Sequence, residues 1–246
     1  MNRTPNAVFP AALAVAGSLL VTIAGCNLNL QSPEDLGFVS IFNGRDFSGW
    51  KVDEIAAQHW AVKDDVLDFD GVKGDLWTIA SYEDFELLVD WRWEGPSQGP
   101  MQRPLIAPDG SDVLDESGSR VTIEIEERDS GIYLRGNSKS QVNIWEWPAG
   151  SGEVYGYRTD GAMPAATRAA ATPRMRADKP VGEWNHLWIR LENETLDVYL
   201  NGEHVLVDCI LPGVPASGPI GLQAHGSGIQ FRNLYVRIQQ PEQVSD

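Results

Sequence analysis

Basic residues are scarce in this chain: 19 Lys and Arg stand against 35 Asp and Glu, a formal balance of −16 at neutral pH. A chain of this sign repels phosphate backbones, which bind through clustered Lys and Arg that release counterions, so the composition argues against a nucleic-acid partner. Neutral sugars meet no such objection. Cysteine is almost missing, with only Cys26 and Cys209 in 246 residues, so disulfides are not expected to hold the fold. Cys209 lies in the apolar run VLVDCILPG and reads as a small core hydrophobe rather than a nucleophile. Beyond the first 25 residues no run is apolar enough to span a bilayer, and no helical stripe exceeds two turns. A P-loop, a dinucleotide glycine motif, a Ser-His-Asp order and Cys/His metal spacing are likewise lacking.

What is present begins at the N-terminus. Arg3 and the free amine precede an apolar run from Ala11 to Ala24 that ends in Ile23-Ala24-Gly25-Cys26. That is the order of an export signal, too short for a span of about 20 residues. The small pair before the cysteine resembles the lipobox of bacterial lipoproteins. The expectation is a signal peptide over residues 1–25, lipidation at Cys26 and a polar tether over residues 26–36. The protein is then exported and held to a membrane by its lipid, and Asn27 in place of Asp after the cysteine points to the outer membrane. Loss of residues 1–25 removes Arg3 alone among charged side chains and leaves the balance at −17.

From Phe38 onward short alternating segments are separated by Gly, Pro, Asn and Asp, the pattern of an all-β sandwich of antiparallel sheets. The clearest strands are DFELLVDWRW (84–93), VTIEIEE (121–127), GIYLRG (131–136), QVNIWEW (141–147), WNHLWIRLEN (184–193), TLDVYL (195–200) and IQFRNLYVRI (229–238). Asn201-Gly202, between TLDVYL and EHVLVD, is the pair that best tolerates the positive φ angles of a two-residue hairpin. In the last strand Ile229 and Phe231 share one phase while Leu234, Val236 and Ile238 share the other, so a bulge is expected near Arg232-Asn233. Two stretches, 94–120 and 160–183, read as long irregular loops, with one or two helical turns accommodated by Ala165–Ala171.

The phrases DSGIYLRG, QVNIWEW, GEWNHLWIRLEN, LNGEHV and GPIGLQAHGSGIQFRNLYVR follow one another in fixed order, preceded by FVSIFNGRDFSGWKV and YEDFELLVDWRW. Together they resemble the 3-keto-disaccharide hydrolase domain family, over nearly all of a domain placed at residues 37–240. The resemblance implies a concanavalin A-like β-sandwich with a sugar site on its concave sheet, acting on glycosides already oxidised at carbon 3. Asp129-Ser130-Gly131 stands where the family usually reads Asn-Ser-Gly.

Alternation along QVNIWEW places Gln141, Asn143, Trp145 and Trp147 on one face and Val142 and Ile144 on the other. Amides and rings side by side suit a neutral carbohydrate, whose C–H patches lie on aromatic faces and whose hydroxyls bind amides. Glu146 falls on the aliphatic side, so either the strand ends near Trp145 or the carboxylate is paired, with Arg158 as one partner. Tyr155, Tyr157 and Arg158 follow and are placed to close over a ligand. The same arithmetic sets Tyr133 beside Arg135 and Gln223 beside His225. His225 is the best single candidate for proton transfer, against the plainer reading of a histidine satisfying turn backbone before Gly226.

A ketone at carbon 3 makes the carbon 2 hydrogen acidic and the glycosidic oxygen on carbon 1 a β leaving group. Elimination followed by hydration then needs a base, a stabiliser for the enolate oxygen and an acid. The expected assignment is His225 as base, Arg135 as enolate stabiliser and Glu146 or Tyr133 as acid, with a divalent metal ion as the alternative to the arginine. Two rivals stand beside it. A laminarinase-type glycosidase would use Glu124 with Glu126 or Asp129, and a non-catalytic lectin-like module would bind glycosides through Trp145, Trp147 and Tyr157.

Overall fold

The computed structural model describes residues 31–239. The expected signal peptide, the expected lipidation site at Cys26 and residues 26–30 of the expected tether therefore lie outside the described residues. Residues 34–36, read above as the end of the tether, form a 3-10 turn whose Leu36 carbonyl accepts a bond from Arg237 Nη1 at 2.8 Å.

Fifteen strands and three short helices follow. The strands of the first half are β1 (Val39–Ser40), β2 (Trp50–Lys51), β3 (Trp60–Lys63), β4 (Val66–Phe69), β5 (Leu76–Thr78), β6 (Phe85–Trp93), β7 (Pro100–Pro104) and β8 (Thr122–Glu126). Then come β9 (Asp129–Leu134), β10 (Asn137–Trp145), β11 (Asn185–Glu192), β12 (Thr195–Leu200), β13 (Glu203–Ile210), β14 (Gly221–Leu222) and β15 (Ile229–Ile238). The helices are α1 (Ala56–His59), α2 (Tyr155–Arg158) and α3 (Ala165–Ala170). The larger sheet has the order β13-β12-β11-β6-β15-β4-β3, with β1 added beside β15; the smaller has the order β10-β9-β14-β5-β2. Every strand pairing among the described residues is antiparallel, so the architecture is the all-β sandwich that the turn spacing implied.

Period-two alternation builds the core. On β6, Phe85, Leu87, Val89, Trp91 and Trp93 join Phe231 of β15 and Leu187, Ile189 and Leu191 of β11 in one buried cluster, to which the smaller sheet contributes Ile132, Leu134, Val142, Ile144 and Leu222. The intervening residues of β6 carry polar pairs on the outer face. Asp90 binds His186 Nδ1 at 2.6 Å and Asn233 Nδ2 at 2.7 Å, while Glu86 accepts from Trp188 Nε1 and Arg237 Nη2. This gives His186 a structural role.

Two turns follow the sequence closely. Asn201 and Gly202 both have positive φ, 54° and 90°, as a two-residue hairpin of matching twist requires. The register of β15 against β6 slips between Arg232 and Tyr235, with Asn233 at φ 52°. The stretch 94–120 differs from its expected irregular form. Part of it is β7, which pairs residue for residue with β8 in a separate two-stranded ribbon. Beyond β7 the backbone of Leu105, Val113 and Val121 closes on itself in a ring of hydrogen bonds. Asp109 and Asp115 nucleate the intervening turns by accepting from backbone N–H groups two residues on, an effect of short acidic side chains that period counting does not register.

Candidate active site

The outer face of the smaller sheet gathers polar and aromatic side chains in rows. Register places Gln141 opposite Tyr133, Asn143 opposite Gly131 and Trp145 opposite Asp129; Tyr133 faces Gly221, which in turn faces Trp77. Two glycines make the rows compact. A Cβ on Gly131 would sit 2.1 Å from Gln141 Nε2, so its absence lets the Gln141 amide cross the strand and donate to Gln223 Oε1. A Cβ on Gly221 would sit 2.6 Å from the Trp77 ring, which instead stacks on Tyr133 at 5.0 Å with an interplanar angle of 7°.

At the end of β9 a histidine–carboxylate pair forms. His225 Nδ1 lies 2.8 Å from Asp129 Oδ2; the His225 side chain is 57% exposed and that of Asp129 only 11%. The Asp129 backbone N–H donates to Ser227 Oγ, and Gln98 Nε2 donates to both that Oγ and the His225 carbonyl, which fixes the turn carrying the imidazole. The hydrogen bond to Asp129 raises the His225 pKa above the ordinary imidazole value, against a smaller opposing effect of burial. Burial pushes the Asp129 carboxyl up, partly offset by its bond to His225.

Asp75 completes the cluster. It precedes β5, accepts the Ala224 N–H at 2.9 Å, and its half-buried position raises its pKa; its charge is felt at both His225 and Tyr133. Burial, with a contribution from Asp75, pushes the Tyr133 phenol up to about 12, so it remains a protonated donor at neutral pH. Asp75 was missed by the sequence reading; its phase-sharing with Trp77 across Leu76 was the available signal.

Beside this cluster Glu127 is buried, gripped by both Arg103 Nε and Nη2, and accepts from Trp147 Nε1 at 3.0 Å. Arg103 also lies over the Trp147 ring at 4.1 Å, while Trp147 stacks on Trp145 at 4.2 Å and 3°. Tyr155 meets both indoles edge-on.

Several expectations change. Arg135 does not share the face of Tyr133: its φ of 50° ends β9 and turns the side chain into the fold. There it donates to the carbonyls of Glu83, Asn193 and Pro215 and to Asp84 Oδ1. Six residues of strand also set it roughly 20 Å from Asp129 at about 3.3 Å per residue, so it is a structural arginine. Glu146 pairs with Arg176, and Arg158 with the fully buried Glu153, so the Glu146–Arg158 pair does not form. Tyr157 is a core residue whose hydroxyl points to the Pro212 carbonyl, and the Asn143 amide is committed to the Glu153 carbonyl. Trp145 is 2% exposed and donates to the Gly150 carbonyl, which leaves it no open face for a sugar. Glu124 and Glu126 lie on the exposed ribbon strand β8, where Glu126 accepts from Ser97 and Glu124 from Gln102. Gln141, Gln223 and Tyr133 meet through side-chain hydrogen bonds, and His225 reaches this face through its pair with Asp129. Among the described residues no three His, Cys, Asp or Glu side chains are grouped to hold a metal ion.

Comparisons agree with this architecture. A 3-keto-disaccharide hydrolase of Bacteroides thetaiotaomicron is 22% identical over 262 residues, covering 85% of this chain and 81% of that protein. Two crystal structures of candidate glycosyl hydrolases from Parabacteroides distasonis share the fold. One has TM-score 0.56 and 23% identity over 82% of this chain and 84% of its own; the other has 0.54 and 19% over 86% and 99%. The family model described as the 3-keto-alpha-glucoside-1,2-lyase-like domain matches residues 37–237, and the chain belongs to that family.

Proposed function

We propose that this protein cleaves 3-keto-glycosides by β-elimination followed by hydration, with His225 as the base. The observation that carries the reading is the His225–Asp129 pair at 2.8 Å on a polar sheet face, with the remainder of the imidazole open to a ligand. Asp129 holds the Nδ1 proton, so Nε2 is the free lone pair, the division of labour by which a carboxylate orients a catalytic histidine.

The C2–H bond breaks and its proton passes to His225 Nε2. The electron pair moves onto the carbon 3 oxygen as an enolate, then re-forms as the C1–C2 double bond while the C1–O bond to the leaving group breaks. Tyr133, protonated at neutral pH, and the Gln141–Gln223 amides supply donors for the enolate, taking the role first given to Arg135. Asp75, raised by burial, is the acid for the departing oxygen. Water then adds at carbon 1 and gives its proton to the Asp75 carboxylate, while the imidazolium returns its proton to carbon 2. The net change is hydrolysis.

In deuterated water a 3-keto-glucoside is expected to yield 3-keto-glucose carrying deuterium at carbon 2 beyond the enzyme-free background, and His225→Ala to abolish both exchange and cleavage. Cleavage of unoxidised sugars without exchange, surviving His225→Ala, would sink the proposal. For location, the Ile23–Cys26 sequence supports an exported lipoprotein of the outer membrane. Cys26→Ser should release the protein from the membrane fraction or leave it unprocessed; equal solubility of processed wild type and variant would refute the anchor.

A further inference from the structure

Next to the cluster lies a groove of about 590 Å³ that runs counter to the acidity of the chain. Its walls carry four arginines, Arg103, Arg120, Arg158 and Arg168, and a single carboxylate, Asp112. The volume falls in the usual range for a small-ligand site. The turn beyond β7 and α3 line the groove side by side: Gly110, at φ 79°, lacks the Cβ that would come within 2.7 Å of the Arg168 carbonyl, and so this turn docks on the helix. Trp147 and Tyr155 line the groove beside the arginines.

The countercharges do not cover all four. Arg120 pairs with Asp112 at 2.7 Å, Arg103 with Glu127 and Arg158 with Glu153. Arg168 has no ion-pair partner among the described residues, and its Nε is buried without an acceptor. Asp109 is near enough to feel its charge, but that carboxylate accepts from Ser111 N and Oγ. Burial pushes the Glu153 carboxyl up, against the pull of the Arg158 guanidinium bound to it, and that carboxylate is committed to Arg158 alone. The Nε is closed to solvent, but the guanidinium stands in the groove wall with no ion pair among the described residues, and a planar fork of this kind is best met by an oxyanion.

We propose that this groove is a subsite for an anionic substituent, a carboxylate or phosphate at carbon 6 of the sugar that leaves, with Arg168 as its principal contact. The inference rests on the cleavage reading above, because the groove adjoins the reacting centre: Glu127, bound by Arg103 and Trp147 of the groove, is felt electrostatically by both Asp129 and His225. In a chain of net charge −16, anions are repelled except where such a local excess of arginine admits them.

The test uses three matched 3-keto-disaccharides whose second ring bears a neutral hydroxymethyl, a carboxylate or a phosphate at carbon 6. Wild type is expected to show a KM about tenfold or more lower for at least one anionic substrate than for the neutral one, and the stronger preference identifies the anion. Arg168→Gln should erase that preference, with kcat within about twofold and the neutral substrate unaffected; added salt should weaken only the anionic substrates. Equal KM values in wild type, or a preference that survives Arg168→Gln, would overturn the subsite while leaving the cleavage reading in place. If no substrate is cleaved, the cleavage reading fails on its own, and calorimetric titration with the unoxidised neutral and anionic disaccharides decides the subsite. Anion-selective binding lost in Arg168→Gln supports it, and its absence refutes it.

Discussion

Asp129→Asn isolates the charge on the carboxylate behind His225. Asparagine preserves the shape and still accepts a bond from Nδ1, so the fold should persist. What disappears is the negative charge 2.8 Å from the imidazole, whose hydrogen bond is the largest contribution raising the His225 pKa; burial, which lowers it, remains. Removing an opposite charge at contact distance lowers an imidazole pKa, and solvent around the half-exposed ring damps the effect without cancelling it. A base acts only when deprotonated, so its rate falls as pH drops through its pKa. In wild type this acid limb lies above the ordinary imidazole value of 6.5; in the variant it should move to lower pH. The plateau should fall by about tenfold or less, because the amide still orients the imidazole and only the basicity of Nε2 is reduced. The variant would therefore keep a larger fraction of its own plateau than wild type at mildly acidic pH. The assay is kcat/KM for a 3-keto-glucoside from pH 5 to pH 9, with deuterium uptake at carbon 2 measured alongside. An acid limb unmoved by the substitution would refute the assignment of His225 as the group that titrates.

Gly202→Val should lower stability by about 1 to 2 kcal/mol through the left-handed backbone alone, because no atom lies within 4 Å of the added Cβ; a fall of roughly 2 to 8 °C in Tm checks it, and Gly202→Asn should cost much less. Arg135→Lys should cost about 2 kcal/mol or more in chemical denaturation, since an ammonium cannot serve three carbonyls and Asp84 at once, while kcat/KM per folded molecule stays unchanged. A large kcat loss in a stable variant would return Arg135 to the chemistry. Gly131→Ala should displace the Gln141 amide and lower kcat/KM by about tenfold with little change in Tm, because the atom in its way is the end of a flexible side chain; unchanged kinetics would remove the Gln141–Gln223 bridge from the site.

The sequence by itself determined what repeats locally. Alternation of two places Val142 and Ile144 in the core and Gln141 on the outer face, and it marks the phase slip that becomes the bulge at Asn233. Asn201-Gly202 specifies its turn because few residue pairs tolerate two positive φ angles in succession. His225 was legible as an imidazole beside a glycine turn. Its partner was not, since Asp129 is 96 residues earlier and meets it only where β9 and β14 lie side by side. Tertiary structure alone decided the charge pairing. Glu146 took Arg176 rather than Arg158, Glu127 took Arg103, and Arg168 was left without an ion-pair partner among the described residues. It also decided Arg135, whose single left-handed residue overrode the alternation and exchanged a place in the site for one under the sheet. Strand period is a property of the backbone and is written every two residues, whereas an ion pair depends on which distant strands and loops become neighbours, and that is settled only when the sheets pack.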